Sequence, residues 1–277
     1  VPLAIVGVSY SSAIFPALSK YFVDGEKDKF ISKIIESGRH IIFWSVPITI
    51  LFIVLRAQIV RTIFGAGNFD WSDTRLTAAA LALFVISVTA QSLILLFMRA
   101  CYARGKTRMP LLVNVFSSLI IVILAYLLSH IFNMAPVFEY FIEDMFKVSG
   151  EMGTIILVLP LSYTIGNILN LVIYWYIYEK DYPGLSRAIL PSFYQIFAGS
   201  VIMGYVTFIS LRFFNVYFPL TKVWGVFLQG FCAGIVGILS LIIILRILNN
   251  KELKEVWETL HHKIWKAKVV IPEQDSL

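Results

Sequence analysis

The sequence predicts an all-α, polytopic transmembrane bundle of about seven spans, and three observations carry that expectation. Apolar residues make up 58% of the 277 and charged residues only 14%, against roughly a quarter in soluble domains. Mean hydropathy is +0.81. Runs such as Leu111–Leu128 and Val226–Leu245 carry no formal charge. About 18–20 helical residues at 1.5 Å each cross a hydrocarbon core of about 30 Å. Backbone groups in lipid must pair within their own segment, so such runs are helices. The ten-residue alternating segments of a β-barrel are absent from the sequence.

Taken in order, the spans fall near 1–18, 39–60, 76–98, 111–132, 153–177, 190–213 and 223–248. The chain starts at Val1, without Met and inside an apolar stretch, which is read as the edge of a longer protein whose first span is cut short. Prolines at 16, 47, 160 and 191 lie in or near spans, where neighbouring helices can satisfy the backbone groups they free. Lys and Arg divide unevenly between alternate loops. Seventeen of the 23 lie on the side of Lys20–Arg39, Arg99–Arg108, Lys180–Arg187 and the C-terminal tail, and six on the other. The positive-inside rule therefore places the C-terminus in the cytoplasm. The acidic stretch 134–152, with Glu139, Glu143, Asp144 and Glu151, becomes an outside loop. In the tail, Leu253, Val256, Trp257, Leu260 and Ile264 recur at helical spacing among charges, an amphipathic helix on the membrane surface. The last nine residues are expected to be disordered. The net charge of +6 sits at span ends and suits lipid headgroups rather than nucleic acid.

Candidate chemistry is sparse. Asp24 and Asp28, four residues apart, faintly resemble the acidic motif of prenyl-transferring membrane enzymes, but no second acidic cluster faces them, and a solvated turn explains them. His261 and His262 are adjacent and point to different helix faces, a poor metal pair, while His40 and His130 stand alone. Cys101 and Cys232 lack metal or disulfide spacing. With no Ser/His/Asp set, P-loop or dinucleotide signature, neither an enzyme nor a bound cofactor or metal is expected. Gly230, Gly234 and Gly237 form a small-residue face that admits either a packed helix or a lipid chain. Arg39 opens the apolar run Ile41–Leu55. It either snorkels to headgroups or turns inward to grip an anionic substrate with its planar fork. Glu36, three residues back, is the one acid near it in sequence and could form an i, i+3 pair.

Three segments carry a family resemblance. Val60–Phe69, VRTIFGAGNF, resembles the "llFgrGxF" segment of the MurJ/MviN family of proposed lipid II flippases. Arg99–Pro110, RACYARGKTRMP, is similar to its "raFYArxDTrtP" motif, with Arg99, Tyr102, Ala103, Arg104, Thr107 and Pro110 matching in a structural role. Pro2–Lys20 resembles its "PxGifGvaigtvlfPxLSk" helix. The resemblance implies the C-terminal part of a fourteen-helix exporter fold. Residues 1–177 would form most of the second lobe, 186–248 two additional helices, and 249–277 a cytoplasmic amphipathic helix and tail. It implies flipping of a polyprenyl-diphosphate-linked peptidoglycan precursor across the bacterial cytoplasmic membrane. The partners would be that lipid, membrane lipids and an N-terminal lobe of the same polypeptide. Arg39, eight residues before Pro47, matches a cavity arginine of the family. Lys106 and Cys101 depart from the family's Asp and Phe, and Ala125 stands where a sodium site would want Asn. Two other functions remain open: export of another lipid-linked oligosaccharide or a small cation, and a non-transporting scaffold of the same fold.

Overall fold

The computed structural model describes residues 2–65, 69–218 and 223–265, with side chains through residue 259. Among these, every regular element is helical. Ten α-helices follow in order: α1 (Ser9–Val23), α2 (Lys27–Val54), α3 (Arg56–Phe64), α4 (Trp71–Ala103) and α5 (Arg108–Met134), then α6 (Pro136–Phe146), α7 (Val158–Asp181), α8 (Leu185–Phe214), α9 (Val223–Ile247) and α10 (Lys251–Trp265). Six segments are long and apolar enough to cross a membrane: α2, α4, α5, α7 with its preceding 3-10 turn, α8 and α9. The expected first span is helical, but a π-helical segment at Ala4–Val8 divides it and leaves 15 residues in α1.

Local sequence explains most boundaries. Asp70 caps α4 by accepting from the Asp73 backbone, and Asp73 accepts in return, a capping box that satisfies two otherwise orphan donors. Gly25, Gly105 and Gly184 hold positive φ in the turns after α1, α4 and α7, where a side chain would be strained. Pro47 is buried within α2 and removes one ladder bond. The helix ends two turns later, and the chain restarts as α3 after Leu55. The acidic stretch 134–152 is not a plain loop. Its first part folds as α6, whose Ile142 and Phe146 are buried beside Leu83 of α4 and Phe132 of α5.

One buried cluster runs through α1, α2, α4, α7, α8 and α9, with Leu18, Ile41, Phe97, Tyr174, Ile189 and Leu245 nearly inaccessible. The core is therefore continuous across the turn that separates 1–177 from 186–248. Within it, Phe97 stacks on Tyr178 with centroids 4.7 Å apart. Span α5 forms the edge of the bundle: only 6% of its apolar stretch is buried, and Leu112, Val122 and Tyr126 point outward. Such an apolar surface requires lipid or another packed element to cover it.

Candidate functional site

The charged groups gather at the two ends of the bundle. At one end α10 lies against the ends of α2, α8 and α9. Asn250, 1% exposed, caps it by accepting from the Leu253 backbone, and Leu253 and Val256 pack on the core. Leu260, His261, His262 and Ile264 have side chains outside the described residues, as does the whole of the tail expected to be disordered.

Arg39 sits under this helix. Its Nε donates to Glu252 Oε1 at 2.6 Å, and Ser192 Oγ donates to the same oxygen at 2.8 Å. Glu252 is 3% exposed and Arg39 27%. The pair is inter-helical and buried on one side, which the sequence reading did not foresee. Glu36 does not pair with Arg39 but takes Lys33 at 2.8 Å. Both terminal nitrogens of Arg39 lack a hydrogen-bond partner among the described residues. Arg39 lines a small cavity of about 110 Å³ with Ser32, Glu36, His40, Glu252 and Glu255, and His40 Nε2 lies 3.1 Å from Glu255. Burial by itself would push the Glu252 carboxyl up. Hydrogen bonds from its own backbone N–H and Ser192, with the Arg39 charge, outweigh that and hold it below its ordinary value. One sequence signal pointed to Glu252: it precedes Val256 by four residues, on the edge of the apolar stripe of α10.

The turn between α4 and α5 is built around Arg104. Its guanidinium is 5% exposed, bonds Asp181 at 2.8 Å and lies 4.8 Å from the Tyr178 ring centre. Lys106 approaches the same carboxylate at 4.0 Å. Cys101 is fully buried against the Tyr178 hydroxyl at 3.3 Å and Met109 sulfur at 3.6 Å. Arg99 sits over Phe15, Ala103 packs on the core, Thr107 precedes α5 and Pro110 is buried in its first turn. Tyr102 lines a separate cavity of about 400 Å³ with Asn114 and Ser118. Asp24 ends α1 and Asp28 lies in the first turn of α2, and among the described residues neither belongs to an acidic or metal-holding cluster.

The glycine face of α9 is filled by protein. A Cβ at Gly230 would lie 3.0 Å from Gln58, one at Gly234 3.4 Å from Leu55, and one at Gly237 would collide with Thr207 of α8. All three glycines are buried at helix crossings.

At the opposite end, Arg75 pairs with Glu151, which also accepts from Ser72, and Arg61 donates to the Phe69 carbonyl at 2.8 Å. Arg56 and Arg212 differ. Among the described residues neither has a carboxylate within ion-pair distance. Their neighbours are aromatic: Phe208 lies 4.7 Å from Arg212, and Phe146 lies 6.0 Å from Arg56.

A bundle of six long apolar helices, with its ionic contacts at the two ends, defines a multi-pass, all-α membrane protein. The family described as "Lipid II flippase MurJ" matches residues 1–228, and the chain belongs to that family. A probable lipid II flippase MurJ of Bdellovibrio bacteriovorus is 25% identical over 201 residues, 72% of this chain and 34% of that protein. One of Thermotoga maritima is 29% identical over 204 residues, 64% of this chain and 41% of that protein. A solved structure titled "Lipid II flippase MurJ, inward closed conformation" shares the fold with a TM-score of 0.61 and 19% identity, covering 89% of this chain and 45% of that one. The chain thus spans between about a third and just under half of the length of these relatives.

Proposed function

We propose that this chain is the C-terminal portion of a flippase that moves a polyprenyl-diphosphate-linked peptidoglycan precursor across the cytoplasmic membrane. The observation that carries the reading is the family match over residues 1–228. No bond is made or broken in such a step, so the protein acts as a transporter rather than an enzyme. The N-terminal lobe of the same polypeptide would supply the other wall of the cavity. An inside-negative potential would favour outward movement of the anionic headgroup, by about 2.3 kcal/mol per charge per 100 mV.

In this reading the C-terminus is cytoplasmic, supported by the 17-to-6 division of basic residues. Single cysteines at Ser149 and Gly105, in an otherwise cysteine-free protein, test it. An impermeant thiol reagent outside intact cells should label the first and spare the second. The reverse result refutes the orientation.

Arg39 would meet the headgroup phosphates through its two terminal nitrogens while Glu252 holds Nε. In a full-length protein, Arg39→Ala should abolish complementation of flippase-depleted cells at near-normal membrane levels, and Arg39→Lys should restore it only partly. Normal growth on Arg39→Ala removes Arg39 from the site. Normal growth on the isolated chain 1–277 would instead contradict the need for a second lobe.

A further inference from the structure

A groove of about 830 Å³ runs between α2 and α8 and ends at Arg56, Arg212 and Gln229, at the end of the bundle away from α10. Its walls are apolar, formed by Ile50, Val54, Phe197 and Val201 among others. Phe197 and Val201 are 46% and 48% exposed, so no element among the described residues covers this wall. We propose that the groove binds an anionic glycerophospholipid, its acyl chain along the apolar walls and its phosphate between Arg56 and Arg212.

Three observations converge on that ligand. The walls suit a hydrocarbon chain, because lipid tails are as apolar as the side chains that line them. The polar end carries two guanidiniums and no carboxylate partner for either among the described residues. Arg56 is half-buried and Arg212 exposed. A half-buried cation without a counter-ion is costly, so a phosphate with matching fork geometry relieves that cost at Arg56, while Arg212 adds a second donor fork at the mouth. Finally, Gln229 is 4% exposed and lines the same end. Its Nε2 is spent on the Leu211 carbonyl at 3.0 Å, and its Oε1 has no partner among the described residues. A hydroxylated headgroup, or a water beneath it, supplies the missing donor. The groove is distinct from the glycine face of α9, which Gln58, Leu55 and Thr207 already fill. It depends on neither Arg39 nor the direction of transport.

The test uses the purified chain in an uncharged detergent, titrated with phosphatidylglycerol or phosphatidylcholine of matched acyl chains, with retained lipid read by native mass spectrometry. A basic residue near the headgroup favours an anionic lipid about fivefold. The wild-type chain should retain phosphatidylglycerol at least about tenfold over phosphatidylcholine. Arg56→Gln and Arg212→Gln should each remove about fivefold, and the double variant should bring the ratio near one. Replacing both by Lys should keep most of the preference. Val201→Trp, on the exposed wall, should reduce retention of both lipids while helicity stays unchanged. Arg246→Gln, at the α10 end, should change nothing. The proposal fails if the wild-type ratio is near one or the ratio survives in the folded double variant. It also fails if Arg246→Gln abolishes the ratio, or if soluble glycerol phosphate competes as well as the lipid. Undecaprenyl diphosphate binding at the same arginines in clear preference to phosphatidylglycerol would overturn the choice of a phospholipid.

Discussion

Two pairs of arginines, one near each end of the bundle, are treated in opposite ways. Near α10, Arg39 and Arg104 are each matched to a carboxylate from a distant part of the chain, Glu252 and Asp181. At the far end, Arg56 and Arg212 line an apolar groove, with aromatic rings as neighbours. The difference separates two uses of the same residue. A guanidinium with a buried internal partner fastens helices together, whereas one left without an internal anion is set to meet a ligand from outside. Arg39 combines the two uses, since only its Nε is bound to Glu252.

The comparison can be broken first at Glu252. Glu252→Ala leaves Arg39 without its partner and should cost about 3–5 kcal/mol, as for other broken buried pairs. Replacing both partners by apolar residues, Arg39→Met with Glu252→Leu, should recover most of the loss. Thermal unfolding of the three variants beside the wild type measures this. A double variant no more stable than Glu252→Ala would mean that the pair does not act as a unit.

The same contact makes a pH prediction. The folded Glu252 carboxyl titrates below its ordinary value, so its stabilising contribution is complete above the unfolded value of about 4.3. That contribution fades as pH falls through the folded value. The stability difference between wild type and Glu252→Gln should be flat through neutral pH and shrink only below about pH 4. A difference that instead shrank between pH 6 and 8 would mean that the Glu252 carboxyl is not the controlling group.

The smallest effect is expected at the start of α4. Asp70→Ala removes a capping box at the far end and should cost about 1 kcal/mol. A loss as large as that at Glu252 would show that this cap matters as much as a buried ion pair.

Much of the fold was legible because membrane helices announce themselves by length and hydropathy. Runs such as Leu111–Leu128 can satisfy their backbone only as helices, and the apolar stripe of Leu253 and Val256 marked α10. Element α6 was missed because eleven residues are too few to span and its acids suggested solvent. In fact Glu143 is 7% exposed and accepts from Thr154 Oγ1 at 2.6 Å. The π-helical break in the first span has no hydropathy signature. The site was less legible. Arg39 and Glu252 stand 213 residues apart, and nothing local says that they meet. The groove depends on how α2 and α8 are rotated about their axes. Gly204 allows that approach, since a Cβ there would lie 2.7 Å from Ile50. The glycines that spacing singled out on α9 turned out to be where helices touch.

The contrast between the two ends is tested most directly by thermal unfolding of Arg56→Gln beside Arg39→Gln, in an uncharged detergent with and without phosphatidylglycerol. Without lipid, Arg39→Gln should melt well below the wild type and Arg56→Gln at or above it. Added phosphatidylglycerol should stabilise the wild type, and Arg56→Gln clearly less, because Arg212 alone then holds the phosphate. An Arg56→Gln variant that melts as low as Arg39→Gln without lipid would show that Arg56 already has an internal partner, and the distinction between the two ends would fall.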